Sequence, residues 1–87
     1  MATHELKTIN PYFQDVWMGR KAFEIRKDDR GFSLGDTLIL QEYNAETESY
    51  TGRSIVCHVE YIIRKDTFGG LNPHYCAMGI YILRRKP

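Results

Sequence analysis

Eighty-seven residues with 43% hydrophobic and 26% charged content describe one folded domain and exclude a disordered chain. A chain this short buries only about two-thirds of the surface it exposes when unfolded, so its core is modest. The formal charge of +1 singles out no partner as a total, and any nucleic-acid site has to come from local clustering. No segment reads as a signal peptide, and no apolar run approaches the ~18 residues a membrane span needs. Cys57 and Cys76 have no metal-ligand spacing and fall in strand-like runs. They read as reduced core residues of a cytoplasmic protein, and no metal or cofactor site is expected.

In chain order, Thr3 to Thr8 predicts a first strand, with His4 and Leu6 on one face and Glu5 and Lys7 on the other. A lone histidine without a second ligand reads as structural. Asn10-Pro11 then opens a helix, since Asn caps well and Pro fits the first helical position. Phe13, Val16 and Trp17 make one apolar stripe to lay across a barrel end, and Gly19 ends the helix after about two to three turns. Core packing is the expected role for Trp17, with base stacking the alternative.

Gly19-Arg20-Lys21-Ala22-Phe23-Glu24-Ile25-Arg26 is the most informative stretch. Read as a strand from Ala22, it alternates, which sends Phe23 and Ile25 to the core. Glu24 and Arg26, ~7 Å apart, then face a cleft. Lys21 follows a glycine and sits at the mouth. The competing reading is a solvated strand face carrying an ordinary ion pair.

Asp28-Asp29-Arg30-Gly31 is a charged turn. Arg30 there either reaches a phosphate or pairs with one of the aspartates. Gly35-Asp36 leads into a strand from Asp36 to Tyr43 with Leu38 and Leu40 on one face. Asn44 to Gly52 predicts a polar hairpin-type loop with Tyr50 at its return. Ser54 to Arg64 is the clearest strand: Ile55, Cys57, Val59, Tyr61 and Ile63 share one face. Asp66 to Pro73, with Gly69-Gly70, is a loop beside the cleft. Tyr75 to Leu83 is apolar on both faces, as a central or barrel-closing strand would be, and Arg84, Arg85 and Lys86 follow as a basic tail. Together these predict an α+β, mainly β fold, a barrel of about five strands with one N-terminal helix.

Gly19, Lys21, Glu24 and Arg26 reproduce the Gly-x-Lys-x-x-Glu-x-Arg signature of the ASCH domains, relatives of the PUA RNA-binding fold. His4-Glu5-Leu6-Lys7, Arg30, Gly35-Asp36 and Tyr50-Thr51-Gly52-Arg53 extend the match over nearly the whole chain. The fuller pattern resembles a small phage and bacterial branch of that group. The resemblance implies a small PUA-like β-barrel with a cleft around the motif, an RNA or nucleotide ligand, and a cleft position for Lys7.

In such a cleft Lys21 and Arg26, with Lys7 or Arg30, would meet phosphate or a base edge. Glu24 would orient the cations or accept from a base amino group. An aromatic from Trp17, Phe68 or Tyr75 would stack on a base. Lys21 and Arg26 are expected to serve the ligand more than the core, so their removal should cost little stability. Some small ASCH proteins hydrolyse an acylated cytidine with a Lys, a Thr and a Glu. The resemblance carries over Lys21, but Glu24 stands where the Thr would be, and the Gly69-Gly70 loop holds no Glu. Lys21 and Glu24 are the candidates if the domain is a hydrolase or a ribonuclease. A carboxylate between two cations suits an electrostatic role better than that of a general acid.

Overall fold

The computed structural model of the protein describes residues 1–64 and 69–87. The expectations placed on Asp66, Thr67 and Phe68 lie outside the described residues. Elements run β1 (Thr3–Ile9), α1 (Tyr12–Trp17), β2 (Phe23–Lys27), β3 (Thr37–Asn44), β4 (Ser49–Ile63) and β5 (Tyr75–Lys86). The fold is mainly β, with one short helix, as expected. The five strands form one sheet in the order β1-β3-β4-β5-β2, with β1 parallel to β3 and every other pair antiparallel. The sheet curls as a half-barrel, and its two edge strands approach each other across a seam. The seam is bridged by side chains: Arg26 on β2 donates to the Lys7 carbonyl (2.9 Å) and the Thr8 hydroxyl (2.8 Å) on β1.

Strand alternation builds the interior. Leu6 of β1, Leu38 and Leu40 of β3, Ile55 and Cys57 of β4, and Met78 of β5 are all buried. Helix α1 closes one end with Phe13 and Val16, both fully buried, and Trp17 packs against them. Each such side chain stabilises the fold by about 2–3 kcal/mol. The helix is shorter than expected, six residues and fewer than two turns. The expected start is shifted by one residue: Pro11, not Asn10, is the N-cap, and the Asn10 side chain instead accepts from the Gln14 amide further along (3.0 Å). Gly19, at φ +80°, ends the helical stretch, a conformation open to glycine at little cost. The next two amides, Arg20 and Lys21, both turn back onto the Asp15 carbonyl (2.9 and 3.1 Å).

Two expectations about strand faces are corrected. Phe23 and Ile25 are 46% and 54% exposed, whereas Glu24 is buried at 2%. The alternation is right and the face is reversed. Register explains it: Glu24 pairs with Met78 and Arg26 with Cys76, which both face the interior. Phe23 and Ile25 pair with Gly79 and Ala77 on the outside. On β4, Tyr61 is exposed and Ile62, not Tyr61, packs against the core. A bulge between Val59 and Tyr61 inserts one residue opposite the Gly79-Ile80 step, and that shifts the alternation by one.

Candidate functional site

Lys21, Glu24 and Arg26 do converge, beneath a concavity of about 700 Å³ between α1, β1 and β2. Glu24 Oε1 accepts from Arg26 Nε (3.3 Å) and Nη2 (3.0 Å). Its Oε2 accepts from Lys21 Nζ, which also donates to the Phe23 carbonyl (2.8 Å). The Glu24 side chain is 3% exposed, against 16% for Lys21 and 23% for Arg26. A buried carboxylate is tolerated only when paired and hydrogen-bonded, and here both oxygens are engaged.

The bonding decides what a ligand can meet. Arg26 has five N–H donors, of which four are committed to Glu24, Lys7 and Thr8. One of its Nη1 hydrogens remains, as does one of the three on Lys21. Glu24 accepts three hydrogen bonds and its side chain is 3% exposed, so little acceptor surface faces the cavity. The floor of the cavity offers donors, and donors suit phosphate oxygens and carbonyl edges.

Around this floor stand Ile9, Tyr12, Phe23 and Ile25, all more than two-fifths exposed. The reversal of β2 is what brings Phe23 and Ile25 to the rim. Lys21 Nζ lies 4.9 Å from the Phe23 ring centroid. Arg20 and Asp15 complete the lining. Arg20 is exposed and, among the described residues, has no ion-pair partner. Arg20, Lys21 and Arg26 outnumber Asp15 and Glu24 in the lining, so its field favours an anion.

Other candidates lie elsewhere. Lys7 is among the residues lining the cavity, but its ammonium sits 4.2 Å from the ring centroid of Tyr43, which is not. Among the described residues Arg30 pairs with neither aspartate, and it does not line the cavity. It donates to the Glu5 carbonyl (3.3 Å), while Asp28 pairs with Arg64 (2.6 Å). Trp17 has Arg53 stacked 4.6 Å from its ring centroid, so that ring face is closed to a base. Tyr75 is exposed on the outer sheet face and does not line the cavity. Arg26 is corrected in role. It ties β2 to β1, so it serves the fold as well as any ligand. Arg20, Tyr12 and Ile9 were missed. Arg20 occupies a spacer position of the motif, and only the turn after Gly19 brings it to the rim.

A second buried ion pair flanks α1. Glu42 accepts from Arg53 Nε (2.8 Å) and Nη2 (2.9 Å), Thr51 Oγ1 (2.6 Å) and Asn10 Nδ2 (2.7 Å). The Arg53 hydrogen bonds, with those of Thr51 and Asn10, hold the Glu42 carboxyl down at about 2 against the cost of burial. Asp36 is likewise held at about 2, first by the Ala2 amide and then by His4, whose Nε2 lies 2.9 Å from Oδ2. His4 is structural, as its sequence context predicts. Burial, with the Glu24 charge adding to it, pushes the Cys57 thiol up to about 12, and that leaves it unreactive at neutral pH. Among the described residues no cluster of His, Cys, Asp or Glu could hold a metal, and no helix is long and apolar enough to cross a membrane.

Fold and cavity together define a small, mainly β domain with one donor-lined concavity beside the seam of its sheet. The chain belongs to the family described as "Domain of unknown function (DUF3850)", which matches residues 3–80. It is also similar to an "Uncharacterized 12.9 kDa protein in GpA 3'region" of Escherichia phage P2, with 41% identity over 56 residues. That match covers 64% of this chain, and the chain spans about half the length of the phage protein (50%).

Proposed function

We propose that this domain binds RNA or a nucleotide in the concavity above Glu24, as a relative of the ASCH and PUA-like domains acting in the cytoplasm. The carrying observation is the combination of Lys21 and Arg26 donors left unused among the described residues at the floor with Arg20 and the exposed Tyr12 and Phe23 at the rim. Cations of this kind take phosphate, and aromatic walls take a base. The two free, buried thiols fit a reducing compartment.

The hydrolase reading draws less support from the geometry. Lys21 is committed as a donor to Glu24 and to the Phe23 carbonyl, so it is poorly placed to act as a base. Glu24, with both oxygens bound to cations, is poorly placed to move a proton.

The test is calorimetric titration with cytidine and uridine monophosphates at low salt. Lys21→Ala and Arg20→Ala are each expected to weaken binding by about tenfold, and affinity should fall as salt rises. Absence of any affinity at low salt would end this reading. In the same preparation, wild-type protein should leave an acylated cytidine intact. Turnover that disappears in Lys21→Ala would instead establish the hydrolase.

A further inference from the structure

The outer face of β2, β5 and β4 carries an unusual load of exposed rings. Phe23, Tyr61, Tyr75 and Tyr81 are 46%, 60%, 41% and 60% exposed. Strand register arranges them in rows. Phe23 lies across Gly79 from Tyr61, and Ile25 lies across Ala77 from Ile63. Tyr81 stands one step further along β5, opposite His58, and Tyr75 stands at the other end, opposite Lys27. Gly79 matters here because a Cβ added to it would come 3.4 Å from the Tyr61 Cβ. The small residues at 77 and 79 keep the middle strand low between the side chains of β2 and β4. Alternate residues along a strand are about 7 Å apart, so the rows form a stepped series of flat apolar surfaces.

Two features say what covers this face. It is continuous with the cavity, since Phe23 and Ile25 belong to both. Its polar border is also mostly cationic: Lys27 at one end, and Arg84 and Lys86, paired with Val56 and Ser54, at the other. Glu60, within 4 Å of the Cβ position at Gly79, is the acidic exception. A second copy of the chain docked face to face would bring these like charges together. A polyanion with flat bases matches both the rings and the border.

We infer that the outer face of β2, β5 and β4 is a track for single-stranded RNA, which leaves the concavity over Phe23 and stacks bases on Tyr61 and Tyr81. This rests on the nucleotide reading of the cavity and extends it: the ligand is a strand several nucleotides long, not a free mononucleotide.

The experiment compares uridine monophosphate with an eight-nucleotide oligouridine on the wild-type chain and on Tyr61→Ala, Tyr81→Ala and Tyr61→Phe. The octamer should bind at least tenfold more tightly than the monophosphate. Each alanine variant should weaken octamer binding by roughly five- to hundredfold, the range expected for losing one stacked base. Neither should move monophosphate binding, and Tyr61→Phe should keep most of the octamer affinity. Thermal unfolding identifies any variant whose loss comes from misfolding. If the octamer binds no better than a monophosphate that itself binds, the track is refuted and the cavity reading stands. Failure of both ligands removes the cavity reading as well. A dimer in sedimentation that Tyr61→Ala dissociates would show that a second copy covers the face instead.

Discussion

Among the described residues two buried carboxylates are held by arginine, Glu24 and Glu42, and they are built to different ends. The Glu42 side chain is 7% exposed. Arg53, Thr51 and Asn10 engage its oxygens, and the Arg53 guanidinium lies over the neighbouring rings of Phe13 (5.1 Å) and Trp17 (4.6 Å) and bonds the Gln14 side chain (2.8 Å). Glu24 is also filled, but the cations that fill it keep a hydrogen each and look into a cavity. The comparison teaches that pairing alone does not mark a site. What separates the two is what the partners of the buried charge face: Lys21 and Arg26 line the cavity, whereas the Arg53 guanidinium lies over Phe13 and Trp17.

The sharpest way to break the comparison is to remove the cation of the closed pair. Arg53→Ala strands a buried carboxylate and uncovers two aromatic rings, and should destabilise the domain by about 3–5 kcal/mol in urea unfolding. A loss under 1 kcal/mol would mean that Glu42 is solvated and the pair is not a strut. Arg26→Ala is next, at about 2–3 kcal/mol, because it removes a cation from Glu24 and two bonds from the seam. This replaces the sequence-based expectation of little cost. Recovery of nearly full stability in Arg26→Lys would show that charge, rather than the guanidinium fork across the seam, is what matters.

Acid sharpens the comparison further. The Glu42 carboxyl is depressed from 4.5 to about 2 in the folded state. Its stabilising contribution is therefore complete above pH 4.5 and is lost as pH falls through about 2, an effect on the order of 3 kcal/mol. Asp36, depressed from 3.8 to about 2, adds a loss of the same sign below pH 4. Melting temperature should therefore decline between pH 4.5 and 2, and Glu42→Gln, though less stable at pH 7, should show a shallower decline. Parallel curves for the two proteins would remove Glu42 from the acid response.

How far the sequence revealed this arrangement follows from which signals are local. The Phe13, Val16 and Trp17 stripe and the Leu38/Leu40 alternation are written within single elements, and both appear where expected. Choosing a face for β2 required knowing its partner. Phe23 and Ile25 look like core residues by chemistry, and a partner strand apolar on both faces gives no cue to the contrary. Only the pairing of Glu24 with Met78 decides it. The bulge before Tyr61 carries no local mark either, and the Arg53 network joins Asn10, Gln14 and Glu42 from distant parts of the chain. The convergence of Lys21, Glu24 and Arg26 was legible because alternation places the last two on one side whichever side that is.

The arginines at the seam have a bearing on how the chain behaves among its own copies. An edge strand such as β1 offers a row of free carbonyls, and another chain can add a strand to such a row. Here Arg30 occupies the Glu5 carbonyl and Arg26 the Lys7 carbonyl, two residues apart along the same edge. Side chains thus take the place of the missing neighbouring strand, and each brings a positive charge that repels an identical edge. The seam that shapes the cavity also withholds two carbonyls of this edge from an added strand.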